Sequence, residues 1–301
     1  MTRPVVVVHA GAGNFSRDLH EREASRRAAL ESALESAAAE VEAGRGAVHA
    51  VRVAVMVMES FALFNAGYGS ALCADGTVEM SAALMRGSDR AAGAVAAITR
   101  TEHPIMAAHS LLDAPEVLMV GAAADAHAAA CGAAQMDPSS FITERQRARL
   151  AEQKTGASLT DPASAPAAAD HGTVGAVCRD GDGSLAAATS TGGIRGQPPG
   201  RVGDTPLIGA GTWADRRVAV SCTGDGEAFI RAGAARLLAA MVEQGIALPD
   251  AARAVLDEVG RVGGRGGLIA VDAAGEVVMP RSSEVMPCGI WRPGEPLTSY
   301  A

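Results

Sequence analysis

Aromatic side chains are scarce in this chain: 5 Phe, 2 Tyr and 2 Trp make up 3% of its 301 residues. A core must therefore be built from Ala, Val, Leu, Ile and Met. At 48% hydrophobic residues there is material for one large domain or two ordinary ones. Basic residues are outnumbered too, giving a net charge of -8 and a pI near 5.4. That balance argues against a nucleic-acid partner, because polyanion binding draws on a basic face. The Arg-rich run at 145–149 reads instead as the solvated face of a helix. The five cysteines are odd in number, scattered and without CxxC spacing, which favours reduced thiols in a cytoplasmic protein over a disulfide framework. No stretch approaches the roughly 20 uninterrupted apolar residues that cross a bilayer. The longest candidate, 48–64, is broken by His49, Arg52 and Glu59. The start, with Val5-Val6-Val7-Val8, lacks the pattern of a signal peptide, so a soluble protein without a membrane partner is expected.

Several reaction classes lack their signatures as well. No HExxH or His/Cys ligand spacing appears, so no catalytic metal is expected. No G-x-S-x-G elbow supports a serine triad. Gly11-Ala12-Gly13 follows a strand, but its spacing is not GxGxxG, and it reads as a tight turn rather than a phosphate cradle.

What is present comes in pairs. A strand at 4–9 precedes a long helix at 18–43 and a second helix at 48–64. Segments 68–73 and 77–84 flank Asp75-Gly76 as a hairpin, followed by a strand at 93–100 and a helix opened by Pro104. A further strand at 117–120 and a segment at 122–131 continue the alternation. Residues 153–170 are rich in Ala, Ser, Thr, Gly and Pro and show no period, the signature of a mobile linker. Order resumes with a hairpin of 174–179 and 184–189, a strand at 217–222, helices at 227–244 and 250–259, and a strand pair at 267–272 and 276–279. Strands paired with strands and helices with helices favour an α+β fold of antiparallel sheets covered by helices.

Thr173 stands where the linker ends, in Asp170-His171-Gly172-Thr173-Val174-Gly175. A threonine hydroxyl is a poor nucleophile without a base. Cutting the Gly172–Thr173 bond supplies one, because the freed α-amine titrates near about 7.7–8.0 and sits on the nucleophile's own residue. Downstream lie Thr189-Ser190-Thr191-Gly192-Gly193, Gly200-Arg201-Val202-Gly203-Asp204 and Ser221-Cys222-Thr223-Gly224-Asp225-Gly226-Glu227. Each alone reads as a turn. Together they supply further hydroxyls, a glycine amide at a helix entry for an oxyanion, and an Arg/Asp pair able to clasp the two ends of a free amino acid.

With Phe64-Asn65-Ala66-Gly67-Tyr68-Gly69 and Gly266-Gly267-Leu268-Ile269-Ala270-Val271-Asp272, these ordered motifs resemble the plant-type asparaginase and isoaspartyl peptidase family, N-terminal threonine nucleophile hydrolases. The resemblance implies a four-layer αββα sandwich, one domain cut into an α chain of 1–172 and a β chain of 173–301. It also implies a dimer of such heterodimers. Thr173 is then nucleophile and, through its amine, general base, while Thr191 polarises its hydroxyl. Thr223 and the Gly224 amide form the oxyanion hole. Arg201 holds the substrate α-carboxylate and Asp204 its α-ammonium, with Gly226 lining that pocket and Asn65 positioning the cleavage region. The implied reaction is hydrolysis of the side-chain amide of L-asparagine and of isoaspartyl dipeptides through a β-aspartyl ester on Thr173. No cofactor is implied beyond a structural sodium held by backbone carbonyls around 59–64.

The chain departs from the family pattern at Ser81 and Arg86, where aspartates are usual, and at Gln197, where lysine is common. Three alternatives stand beside the leading one. They are a glycosylasparaginase-like amidase, a threonine endopeptidase, and a non-processing relative that only binds amino acids.

Overall fold

The computed structural model describes residues 3–14, 22–155 and 172–300. Among them the strands are β1 (Val5–His9), β2 (Met80–Arg86), β3 (Ala92–Ile98), β4 (Leu118–Val120), β5 (Val174–Arg179), β6 (Leu185–Thr191), β7 (Thr212–Ala214), β8 (Val218–Gly224), β9 (Gly266–Asp272), β10 (Val277–Val278), β11 (Cys288–Trp291) and β12 (Thr298–Tyr300). The α-helices are α1 (Glu23–Glu42), α2 (Ala47–Glu59), α3 (Pro104–Ser110), α4 (Gly121–Ala130), α5 (Glu144–Thr155), α6 (Gly226–Ala232), α7 (Ala234–Glu243) and α8 (Leu248–Arg261). The architecture is mixed α/β with two sheets. One has eight strands in the order β12-β11-β1-β5-β6-β2-β3-β4, and the other four, β10-β9-β8-β7. All pairings are antiparallel except β3 with β4.

Strand alternation explains how the apolar residues are shared out. In β1, Val6 and Val8 join a cluster with the apolar faces of α1 and α2, whereas Val5 and Val7 join a second cluster with Ala219, Ile269 and Val271 of the small sheet. Leu268 and Ala270, the other face of β9, pack with α7 and α8. A strand buried on both faces shows no polar alternation, which is why β1 reads as an unbroken apolar run. Alanine at the contact positions of α1 (Ala29, Ala33, Ala37) and α2 (Ala50, Ala54) fills the space that absent aromatics leave open, and all five are buried.

Several expected boundaries move. The second helix stops at Glu59 rather than running through 64, because 60–69 folds into successive turns. Glu59 Oε1 there accepts the Ile105 N–H of α3 at 3.0 Å. The hairpin around Asp75-Gly76 is reduced to the single bridge Leu72↔Val78. The strand that follows pairs with β3 and β6 instead. The helix at 227–244 is split at Gly233, which takes left-handed backbone (φ 57). Strands β7, β11 and β12 carry too few residues to register as periodic runs. The first residues of the expected linker, 153–155, belong to α5, and the rest of it lies outside the described residues. The five cysteines are free thiols, all buried but Cys131. No helix among the described residues is long and apolar enough to cross a membrane.

Candidate active site

Antiparallel pairing of β5 with β6 sets Val174 opposite Ser190, so Thr173, one residue before β5, meets Thr191 at the end of β6. Thr173 is 8% exposed, and its Oγ1 donates to Thr191 Oγ1 at 3.3 Å. Thr191 Oγ1 also accepts the Gly193 N–H at 3.1 Å, which fixes its position beside Thr173. Asn65 braces this corner. Its Nδ2 donates to the Gly193 carbonyl at 2.6 Å and its Oδ1 accepts the Ala71 N–H at 2.6 Å. Gly172 lies against the same residue: a Cβ on it would fall 2.8 Å from Asn65 Cβ, so a larger residue at the junction would displace Asn65.

The small sheet supplies the second wall, since β8 packs on β5 and β6. Thr223 is fully buried near the end of β8. Its Oγ1 accepts the Ala12 N–H at 3.0 Å, so its own O–H is left to donate to an anion. Gly224 follows with φ 143, and a Cβ there would lie 2.4 Å from the Arg265 carbonyl oxygen. Only glycine fits that crossing of β8 over β9.

Arg201, Asp204 and Gly226 come together. A Cβ on Gly226 would sit 2.9 Å from Asp204 Oδ1 and 3.1 Å from Arg201 Nη2, so the bare glycine leaves room between a cation and a carboxylate. Glu227 Oε1 and Oε2 accept from Arg201 Nε and Nη2, each at 2.9 Å. That contact occupies the side of the guanidinium and leaves its Nη1/Nη2 edge for a carboxylate. Replacing Gly226 by alanine fills the gap with a methyl. KM for asparagine is expected to rise about tenfold or more with a smaller change in kcat, and steady-state kinetics would read the split. An unchanged KM would place substrate elsewhere.

The departures from the family pattern, and the Arg-rich run, take definite places around this site. Gln197, buried at 3% exposure, accepts the Ile194 N–H at 3.0 Å through Oε1. The same oxygen lies 3.5 Å from Arg201 Nη1, so this residue ties the Thr191 corner to the Arg201 fork. Ser81 pairs directly with Thr191 across β2 and β6. Arg86 is a surface anchor, joined to Asp89 at 2.8 Å and Asp113 at 2.7 Å. The run at 145–149 is only partly solvated. Arg147 is exposed, but Arg145 and Arg149 are half-buried, because α5 turns them toward the loop at 62–65.

His9 is fully buried, with Nε2 2.9 Å from Ser221 Oγ, which lies 2.7 Å from Thr189 Oγ1. Thr212 Oγ1 extends the chain at 2.7 Å from Thr189 Oγ1. Burial pulls the His9 imidazole down to about 3, partly opposed by a hydrogen bond with the Thr173 backbone. Because the folded value lies below the unfolded 6.5, the unfolded chain binds the extra proton between the two. Stability from this group is full above about 6.5 and is lost as pH falls toward 3. Urea midpoints should drop across that window, and His9→Gln should flatten the slope. Parallel slopes would remove His9 as the titrating group.

The turn expected to hold sodium is closely packed around two glycines. Gly67 (φ 52) would place a Cβ 2.6 Å from the Glu59 carbonyl oxygen, and Gly69 (φ 123) one 2.7 Å from that of Phe64. The neighbouring carbonyls of Leu63 and Ala62 accept from Arg26 and Arg145, at 2.8 and 2.7 Å.

A family model described as asparaginase matches residues 2–296. The chain belongs to this asparaginase family. It is 45% identical to an isoaspartyl peptidase of Salmonella typhimurium over 95% of its own length and 94% of the relative's. It is 42% identical to an isoaspartyl peptidase of Escherichia coli, covering 95% and 92%. A Bos taurus protein named isoaspartyl peptidase/L-asparaginase is 42% identical, covering 97% and 94%. The family match and the site geometry concern the same residues, from the His9 strand to the β9 glycines.

Proposed function

We propose that this asparaginase-family chain hydrolyses the side-chain amide of L-asparagine and the isoaspartyl bond of β-aspartyl dipeptides, after cutting itself between Gly172 and Thr173. The observation that carries the reading is the buried Thr173 hydroxyl, held on Thr191 and faced by β8, which ends in Thr223 and Gly224. In the cut form the Thr173 α-amine takes the hydroxyl proton, and Oγ1 attacks the side-chain carbonyl. Thr223 O–H and Gly224 N–H receive the negative charge. The amine then passes its proton to the departing ammonia or amino acid, and water hydrolyses the β-aspartyl ester, returning Thr173. Arg201 and Asp204 hold the α-carboxylate and α-ammonium of the aspartyl half.

Helices, sheet, sheet and helices stacked through three apolar clusters support the four-layer sandwich as the working fold. A structural sodium ion held by backbone carbonyls around 59–64, as the family resemblance implies, would supply a fixed charge that stiffens the turn leading to Asn65. A dimer of cleaved heterodimers in the cytoplasm completes the proposal on the strength of the family resemblance. The test is aspartate release from a β-aspartyl dipeptide, from asparagine and from a glycosylated asparagine. Release from the first two supports the reading, and release from the glycosylated substrate alone overturns it.

A further inference from the structure

A recess beside the Gly172–Thr173 junction is lined by Gly172, Asn65 and four arginines, Arg26, Arg145, Arg149 and Arg195, and its described lining contains no carboxylate. Three separate segments, α1, α5 and the loop after β6, deliver these cations to one place. Arg26 and Arg145 already donate to the carbonyls of Leu63 and Ala62. Arg195 makes no side-chain hydrogen bond among the described residues, and its Nε, like Arg26 Nε and Arg145 Nε and Nη1, is buried without a partner. A buried donor left unmade is costly, and an anion placed there would satisfy it. We infer that this recess is a subsite for the free α-carboxylate of the amino acid released from an isoaspartyl dipeptide, with Arg195 as its ligand.

The inference rests on the proposed function and specifies the substrate at the same site. Gly172 is bonded to the Thr173 nitrogen in the uncut chain. After cleavage that nitrogen must pass a proton to the leaving amine, which therefore approaches within about 2.6–3.2 Å of it. The leaving amino acid is one residue long and covers the space that residue 172 fills beforehand, so its carboxylate reaches the groups lining the recess. With Gly172 in place the cavity measures about 10 Å³, roughly the room of one water molecule. The subsite opens when Gly172 moves off. The reaction balances without a co-reactant besides water. The amide C–N bond breaks as the Thr173 ester forms, the hydroxyl proton goes through the α-amine to the leaving nitrogen, and water splits the ester. Arg201 and Arg195 then grip the dipeptide at its two carboxylates. Asparagine, which loses ammonia, uses only the first.

The experiment compares β-aspartyl-leucine with its C-terminal amide on the fully cleaved protein, with asparagine as the internal reference. The wild type is expected to favour the free acid by about tenfold in kcat/KM, carried by KM. In Arg195→Met the ratio of dipeptide to asparagine kcat/KM should fall by a similar factor, and the acid/amide preference should vanish. Arg195→Lys should restore part of it. Equal wild-type rates for acid and amide overturn the subsite even if the variants do not fold. Loss of asparagine and dipeptide turnover together in the wild type would instead overturn the functional reading.

Discussion

Replacing Thr173 by alanine should leave one uncut 301-residue chain and reduce aspartate release by at least on the order of 10⁴-fold. The size of the effect follows from the double use of this residue. In the proposed mechanism its hydroxyl is the attacking group in both cleavage and hydrolysis, and its amine, the base for hydrolysis, does not exist until the chain is cut. The side chain is buried at the start of β5 and makes one side-chain hydrogen bond, to Thr191, so alanine removes the reacting atom with little disturbance to the sheet. A denaturing gel with N-terminal sequencing separates the outcomes: wild type yields a fragment beginning at Thr173, and the alanine variant does not. Thr173→Ser keeps the hydroxyl and should keep both activities at reduced rate. Turnover in the alanine variant would show that another residue attacks.

Thr223→Val should lower kcat by about 10²–10³-fold with little change in KM, measured on the cleaved fraction, because in the proposed mechanism the hydroxyl acts on charge that develops only in the transition state. Valine matches the shape of threonine, so packing in β8 is retained. In the resting protein the Ala12 N–H no longer has the Thr223 hydroxyl to donate to, and a buried donor left unsatisfied costs about 1–3 kcal/mol. Thermal unfolding therefore checks that the fall in rate is not a fall in folded protein. If KM rises instead and kcat holds, Thr223 binds the ground state and the oxyanion sits elsewhere.

Much of this site was legible before any fold was known. Thr173, Thr191, Arg201, Asp204, Thr223, Gly224 and Gly226 lie in short motifs within one half of the chain, and the structure gathers Thr173 with Thr191 and Arg201 with Asp204 and Gly226. The side chains whose surroundings the sequence left open are those with no local signature. Nothing local marks His9, because its partner Ser221 is 212 positions away. Gln197 looked like a neutral replacement until its carboxamide oxygen was seen between Ile194 and Arg201. The Arg-rich helix looked solvated because helix periodicity says which face is polar and nothing about what that face meets.

Contiguous sequence thus carried the proposed chemistry: a hydroxyl after a glycine, glycines where only bare backbone fits, and apolar runs too uniform for a half-exposed sheet. These are properties of single residues and their immediate neighbours, and they hold whatever the rest of the chain does. Tertiary structure alone decided which groups face one another. The register of β5 on β6 sets Thr173 on Thr191, and the docking of β8 adds Thr223 and Gly224. The approach of α1 and α5 to the loop after β6 brings four scattered arginines to one recess. Those relations depend on sheet register and helix packing, which are set by burial summed over the whole core and leave no mark on any one segment.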